Sequence, residues 1–149
     1  MSSFIPEEYI NDLNTRLDIY RKVARVRDDN DITDLTDELI DRFGGDVPQN
    51  VINLMHVSKI RALAAKCSVS SIIQHGDSFE LVISSMKEFS AVYTKSQQVA
   101  EEKYKRRLTI NAGGTKAALS FKLSTPKAAT NPELILKELE ELLVTIIGK

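Results

Sequence analysis

The chain has 149 residues, of which 28% are charged and 42% hydrophobic, with a formal net charge of -1. That length suits one domain burying roughly 70% of the surface its unfolded chain would expose, so a core forms without staples. Four prolines, six glycines and the lone Cys67 exclude a collagen-like or low-complexity chain, a disulfide scaffold and a multi-cysteine zinc site, and the balanced charge gives no global field for nucleic acid or anionic lipid.

Ile10, Leu13, Leu17, Tyr20 and Ala24 recur at spacings of three and four, which predicts an amphipathic first helix ending before Asp28-Asp29-Asn30. A second helix follows, with Asp31 as N-cap, the apolar stripe Ile32, Leu35, Leu39 and Phe43, and Gly44-Gly45 as its stop. Asp46 and Pro48 set up a third helix, apolar almost all round from Val51 to Cys67 and so expected to be covered on more than one side.

The period then changes to two. Runs from Val69 to His75 and Phe79 to Ser84, separated by Gly76-Asp77, predict a hairpin. Met86, Phe89, Tyr93, Ala100 and Tyr104 return to helical spacing, and the polar stretch Thr94 to Gln98 marks a break in that helix. Leu108, Ile110 and Ala112, then Ala117, Leu119, Phe121 and Leu123, alternate on either side of Gly113-Gly114 and predict a second hairpin. After a linker holding Pro126, Asn131-Pro132 opens a last helix with Ile135, Leu139, Leu142 and Ile146 on one face. Strands and helices do not alternate as βαβ units. The expected class is α+β, a three-helix region followed by two hairpins that form a small antiparallel sheet packed with helices. The whole chain, 1–149, reads as a single domain, with residues 1–4 as a linker or appended start.

No reaction chemistry is advertised, so no catalytic, cofactor-binding or metal-binding residue is expected. Gly113-Gly114-Thr115-Lys116 has the wrong order for a phosphate-cradling loop and lies between strands. His56, His75 and Cys67 have no second ligand at a metal spacing, and no serine sits in a nucleophile elbow. The start lacks the basic and apolar regions of a secretory signal, and no apolar run approaches the roughly 20 residues of a membrane span, which with the free thiol suggests a cytoplasmic setting.

Two charged clusters remain. Asp34, Asp37, Glu38 and Asp41 stand at i, i+3, i+4 and i+7 of the second helix, a single acidic stripe whose like-charge i,i+4 neighbours cost a few tenths of a kcal/mol. Such a stripe is either a solvated face or a docking surface for basic side chains. Lys95, Lys103, Lys105, Arg106 and Arg107, with Tyr104 interleaved, form a basic cluster that supports an alternative, an accessory nucleic-acid-binding domain contacting phosphates. Glu101 and Glu102 directly before it favour a solvated helix end instead.

The blocks Ile5-Pro6-Glu7-Glu8-Tyr9-Ile10, Asn14-Thr15-Arg16-Leu17, Tyr20-Arg21-Lys22-Val23-Ala24, Glu38-Leu39-Ile40-Asp41-Arg42-Phe43-Gly44 with Pro48, and Ile60-Arg61 before Ala64 resemble the C-terminal domain of bacterial transcription-repair coupling factors. The resemblance is densest from Ile5 to Cys67; beyond Val69 only the order of elements is shared. It implies a non-catalytic regulatory piece of a large DNA-translocating ATPase whose motor lies elsewhere. In that family the domain packs on a UvrB-homology module, masks the surface that binds UvrA, and restrains the motor until RNA polymerase is engaged. The implied partners are that module directly and UvrA and RNA polymerase indirectly, with no cofactor, no membrane and no direct nucleic-acid binding expected. Carried onto this chain, Glu38 and Asp41 offer carboxylates to basic side chains of the module, and Asp34 and Asp37 extend the contact.

Overall fold

The computed structural model describes residues 4–84, 86–113 and 116–147, with the side chains of 86–89, 91–92, 112–113 and 116 left aside. Met1-Ser2-Ser3, read as linker, and the hairpin-turn residues Gly114 and Thr115 lie outside the described residues. The chain divides into two compact units, Met1–Ala62 and Leu63–Lys149.

The first unit is helical: α1 (Leu13–Ala24), α2 (Asp29–Phe43) and most of α3 (Gln49–Lys66). Its core joins Ile5 and Ile10 of the lead segment to Ile19, Val23, Val26, Leu35, Leu39, Val51 and Met55. Ile10 is buried but precedes the helix, because Asp12 caps α1 by accepting from the Thr15 backbone N–H at 2.9 Å. That changes the buried face. Ile19 and Val23 point inward, while Leu13 and Leu17, expected on the apolar stripe, are 59% and 42% exposed. The lead segment is pinned from the side by Arg16, whose Nη1 donates to the carbonyls of Ile10 at 2.8 Å and Asn11 at 3.0 Å. The Ile5 backbone N–H donates to the Tyr20 hydroxyl at 2.8 Å.

The cap of α2 is Asp28, not Asp31. Asp28 accepts from the Asp31 N–H at 2.9 Å, and Asp31 accepts from the Arg27 N–H at 2.9 Å, two side-chain-to-backbone bonds that start the helix two residues before the expected cap. The predicted stripe holds: Leu35 and Leu39 are buried, and Ile32 and Phe43 pack against the core. Gly44 ends the helix at φ 69 and ψ 177, a conformation reserved for glycine, with its N–H bonded to Ile40 O at 2.9 Å. In α3 the buried positions Val51, Asn53, Met55, Ser58, Lys59 and Ile60 fall all round the helix, as its sequence predicted.

The second unit carries β1 (Val69–His75), β2 (Ser78–Ile83), α4 (Met86–Val99), β3 (Leu108–Gly113), β4 (Lys116–Lys122) and α5 (Pro132–Ile147). The fold is α+β. The hairpins join through β2 and β4 into one antiparallel four-stranded sheet of order β1-β2-β4-β3. Alternation puts Phe79, Leu81 and Ile83 of β2 inward, and the register sets Phe79 beside Phe121 and Leu81 beside Leu119. α4 packs against β2, β4 and α5, and α5 buries Leu136 and Leu143 in addition to the four predicted residues.

The break expected at Thr94 to Gln98 is absent; α4 runs through it to Val99. Ser96, in that polar stretch, is fully buried, which explains why a polar composition did not stop the helix. The pitch changes later, in a π turn at Ala100–Tyr104 and a 3-10 turn at Lys105–Arg107.

Candidate functional site: an acidic helix face

Leu35 and Leu39 lock α2 to the core and so fix which of its side chains face solvent. Asp34, Asp37 and Asp41 are exposed, and among the described residues no cation pairs with them. Glu38 behaves differently. Its Oε2 accepts from Lys22 Nζ of α1 at 2.5 Å and from Arg42 Nη1 at 3.3 Å. Lys22 chiefly, opposed by partial burial and aided by Arg42, holds the Glu38 carboxyl below the usual glutamate range. Arg42, the obvious sequence neighbour to offset the acids, reaches Glu38 and, at 3.9 Å, Asp18, and stacks over the Phe43 ring at 5.0 Å. The acidic stripe therefore consists of one carboxylate bound into the fold and three that are not.

A shallow groove of about 230 Å³ runs beside the stripe, lined by Lys22, Arg25 and Val26 of the α1 side and by Asp31, Asp34, Leu35 and Glu38 of α2. Local pattern does not reveal Lys22 as part of this face, because the stripe lies along one helix and Lys22 is 16 residues from Glu38. Only the antiparallel pairing of α1 with α2 brings them together.

Part of the basic cluster is used within the fold. Lys103 bonds Glu141 at 3.4 Å and Thr145 at 3.3 Å on α5, and lies 5.4 Å over the Tyr104 ring. Arg107 donates to Glu138 at 2.8 Å and to the Lys122 carbonyl at 3.1 Å while covering Tyr104 and Phe121. Lys105 and Arg106 are exposed and Lys95 is half-buried. Two of the five cations thus fasten the turn after α4 to α5 and β4.

No group of three or more His, Cys, Asp and Glu side chains among the described residues has the geometry to hold a metal. His75 lies 3.9 Å from Glu80 at an exposed hairpin end. Cys67 is buried, and burial pushes its thiol up to about 11, so it presents no thiolate at neutral pH. Its Sγ lies 3.8 Å from the Leu143 carbonyl, as a packed thiol does.

No helix among the described residues is long and apolar enough to cross a membrane. The TRCF domain family matches residues 1–94. Transcription-repair-coupling factors of Rickettsia bellii and Escherichia coli are 35% and 33% identical over 72 residues, 48% of this chain and 6% of each of those proteins. That of Bacillus subtilis is 30% identical over 123 residues, 81% of this chain and 10% of that protein. The chain therefore spans a tenth or less of the length of these curated relatives. A crystal structure of the C-terminal domain of transcription-repair coupling factor has the same fold, with a TM-score of 0.71 at 22% identity over 98% of this chain and 89% of that one. The family match over the helical unit and beyond, the relatives and the shared fold agree: the chain belongs to the TRCF domain family of transcription-repair coupling factors, corresponding to their C-terminal domain.

Proposed function

We propose that this chain is a regulatory docking domain that performs no chemistry of its own. Its acidic α2 face holds a UvrB-homology module of a longer coupling factor, covers the surface that would bind UvrA, and restrains the motor until RNA polymerase is engaged. The observation that carries this reading is the unequal use of the four acids. Glu38 is oriented by Lys22 and Arg42, whereas Asp34, Asp37 and Asp41 lie exposed on the same face with no internal cation among the described residues. Three uncompensated carboxylates on one rigid helix lower the stability of the free domain slightly and favour a basic partner.

Both cations on Glu38 sit on Oε2, which leaves Oε1 for a partner's arginine or lysine. Fixed in this way, Glu38 presents a preorganised acceptor beside Asp41, and charge-assisted bonds to it form with little further loss of side-chain freedom. A polar contact of this kind suits a clamp that must open. Turning a 99:1 closed population into 1:99 takes about 5.5 kcal/mol of differential binding, which an extensive apolar seam would resist.

The test is binding of this chain to the separately produced UvrB-homology module by titration calorimetry at low and raised salt. Asp37→Lys with Asp41→Lys is expected to weaken binding by about tenfold or more, and salt to weaken the parent contact. Affinity unchanged by both reversals would remove the acidic face from the interface.

A further inference from the structure

The groove between α1 and α2 has walls of opposite sign. Arg25, the C-cap of α1, and Asp34 of α2 both line it, yet neither has an ionic partner among the described residues. Lys22 and Glu38, farther along the same groove, neutralise one another. Its floor includes the buried Val26 and Leu35. The groove thus offers one cation without an ion pair on one wall, two such carboxylates, Asp31 and Asp34, on the other, and apolar surface near them.

The geometry points to a bipolar partner: the protein segment that docks along α2 carries a carboxylate for Arg25 next to the cations that meet Asp34, Asp37 and Asp41. This inference rests on the docking reading above and adds Arg25 to the surface as the residue that sets specificity. The reason is electrostatic. A purely basic segment laid on Asp34 enters the field of Arg25, which lines the same groove and forms an ion pair with none of its carboxylates among the described residues. A like charge in that position is repelled unless the partner supplies its own acid there. Lys22 poses no such problem, because Glu38 already neutralises it. A partner with alternating signs satisfies both walls and fixes its register along the groove, which a uniformly positive one would not.

Arg25→Glu separates the two cases by the sign of its effect. With a bipolar partner it sets carboxylate against carboxylate, and binding of the UvrB-homology module should weaken by about tenfold, with Arg25→Lys retaining most of the affinity. With a purely basic partner the same change removes a repulsion and adds an acceptor, so binding would tighten; tightening, or no change, overturns the inference. Asp37→Lys with Asp41→Lys is measured alongside. If that pair weakens binding and Arg25→Glu does not, the bipolar partner falls and the acidic docking face stands. If neither does, both fall. Arg25 is exposed and its side chain has no ionic partner among the described residues, so the variant is expected to fold, and an unchanged circular dichroism melting curve checks this.

Discussion

Lys22 Nζ of α1 donates to Glu38 Oε2 of α2 at 2.5 Å, tying the two helices on the side away from their shared core. The pair does two jobs at once. It offsets the most crowded carboxylate of an acidic helix face, and it sets the rotamer of a residue that faces the proposed partner.

The pair should carry a pH signature. The Glu38 carboxyl titrates lower in the folded chain than its ordinary value of 4.5, so folding is favoured by the charged form. Its contribution is complete above that ordinary value and disappears as the pH falls through the lower folded value. Both side chains are more than a third exposed, which keeps the contribution to about 0.5 kcal/mol. Urea midpoints of the parent and Glu38→Gln should differ at pH about 7 and converge at pH about 3. A gap that persists in acid would mean that Glu38 acts through packing.

The α2 terminus depends on backbone freedom at Gly44. At φ 69 and ψ 177 an added Cβ meets nothing within 4 Å, so the cost of a side chain there is conformational alone. Gly44→Ala should destabilise the chain by about 2 kcal/mol, and Gly44→Asn by a similar amount, since this is not the left-handed helical region that asparagine tolerates. Thermal denaturation of both variants is the check.

In the second unit, two carboxylates one turn apart on α5 should differ sharply. Glu138 is 14% exposed and accepts from Arg107, from the Ser124 N–H at 2.9 Å and from the Ser124 hydroxyl at 3.0 Å. Glu138→Ala leaves all three donors without that acceptor and should cost about 2 kcal/mol. Glu141, 55% exposed in its pair with Lys103, should cost less than about 1 kcal/mol when replaced by alanine. Equal losses in chemical denaturation would show that the Ser124 contacts contribute nothing.

Cys67 should be inert to thiol reagents in the folded chain and react on unfolding. Its thiol, ordinarily near 9.0, is raised to about 11 by burial. The unfolded chain therefore loses this proton first, and stability should decline as pH rises from 9 toward 11. Cys67→Ala should flatten that part of the stability-against-pH curve. Rapid labelling of native protein at neutral pH would contradict the burial.

The fold was legible wherever a periodic run is bounded by turn chemistry. Leu35, Leu39 and Gly44 define α2, Phe79, Leu81 and Ile83 define β2, and Asn131-Pro132 starts α5, all as the local pattern predicts. The phase of α1 was not legible. Ile10 is buried through the lead segment and not through the helix, so counting helical turns from it selects Leu13 and Leu17, which face outward. The polar middle of α4 misled for a related reason: burial of Ser96 is decided by what α4 packs against and leaves no trace in local composition.

The sequence by itself determined the α+β class, the family and the row of acids on α2, because hydrophobic period, capping residues and short ordered blocks are local properties of a chain. Which of those acids stand uncompensated was decided only by tertiary structure. Lys22 lies 16 residues from Glu38, Arg107 lies 31 from Glu138, and Arg25 shares a groove with Asp34 only because α1 and α2 fold back on a common core. Ionic partnership depends on distance through space, and a few ångströms separate a charge that is used within the fold from one that is offered to a partner.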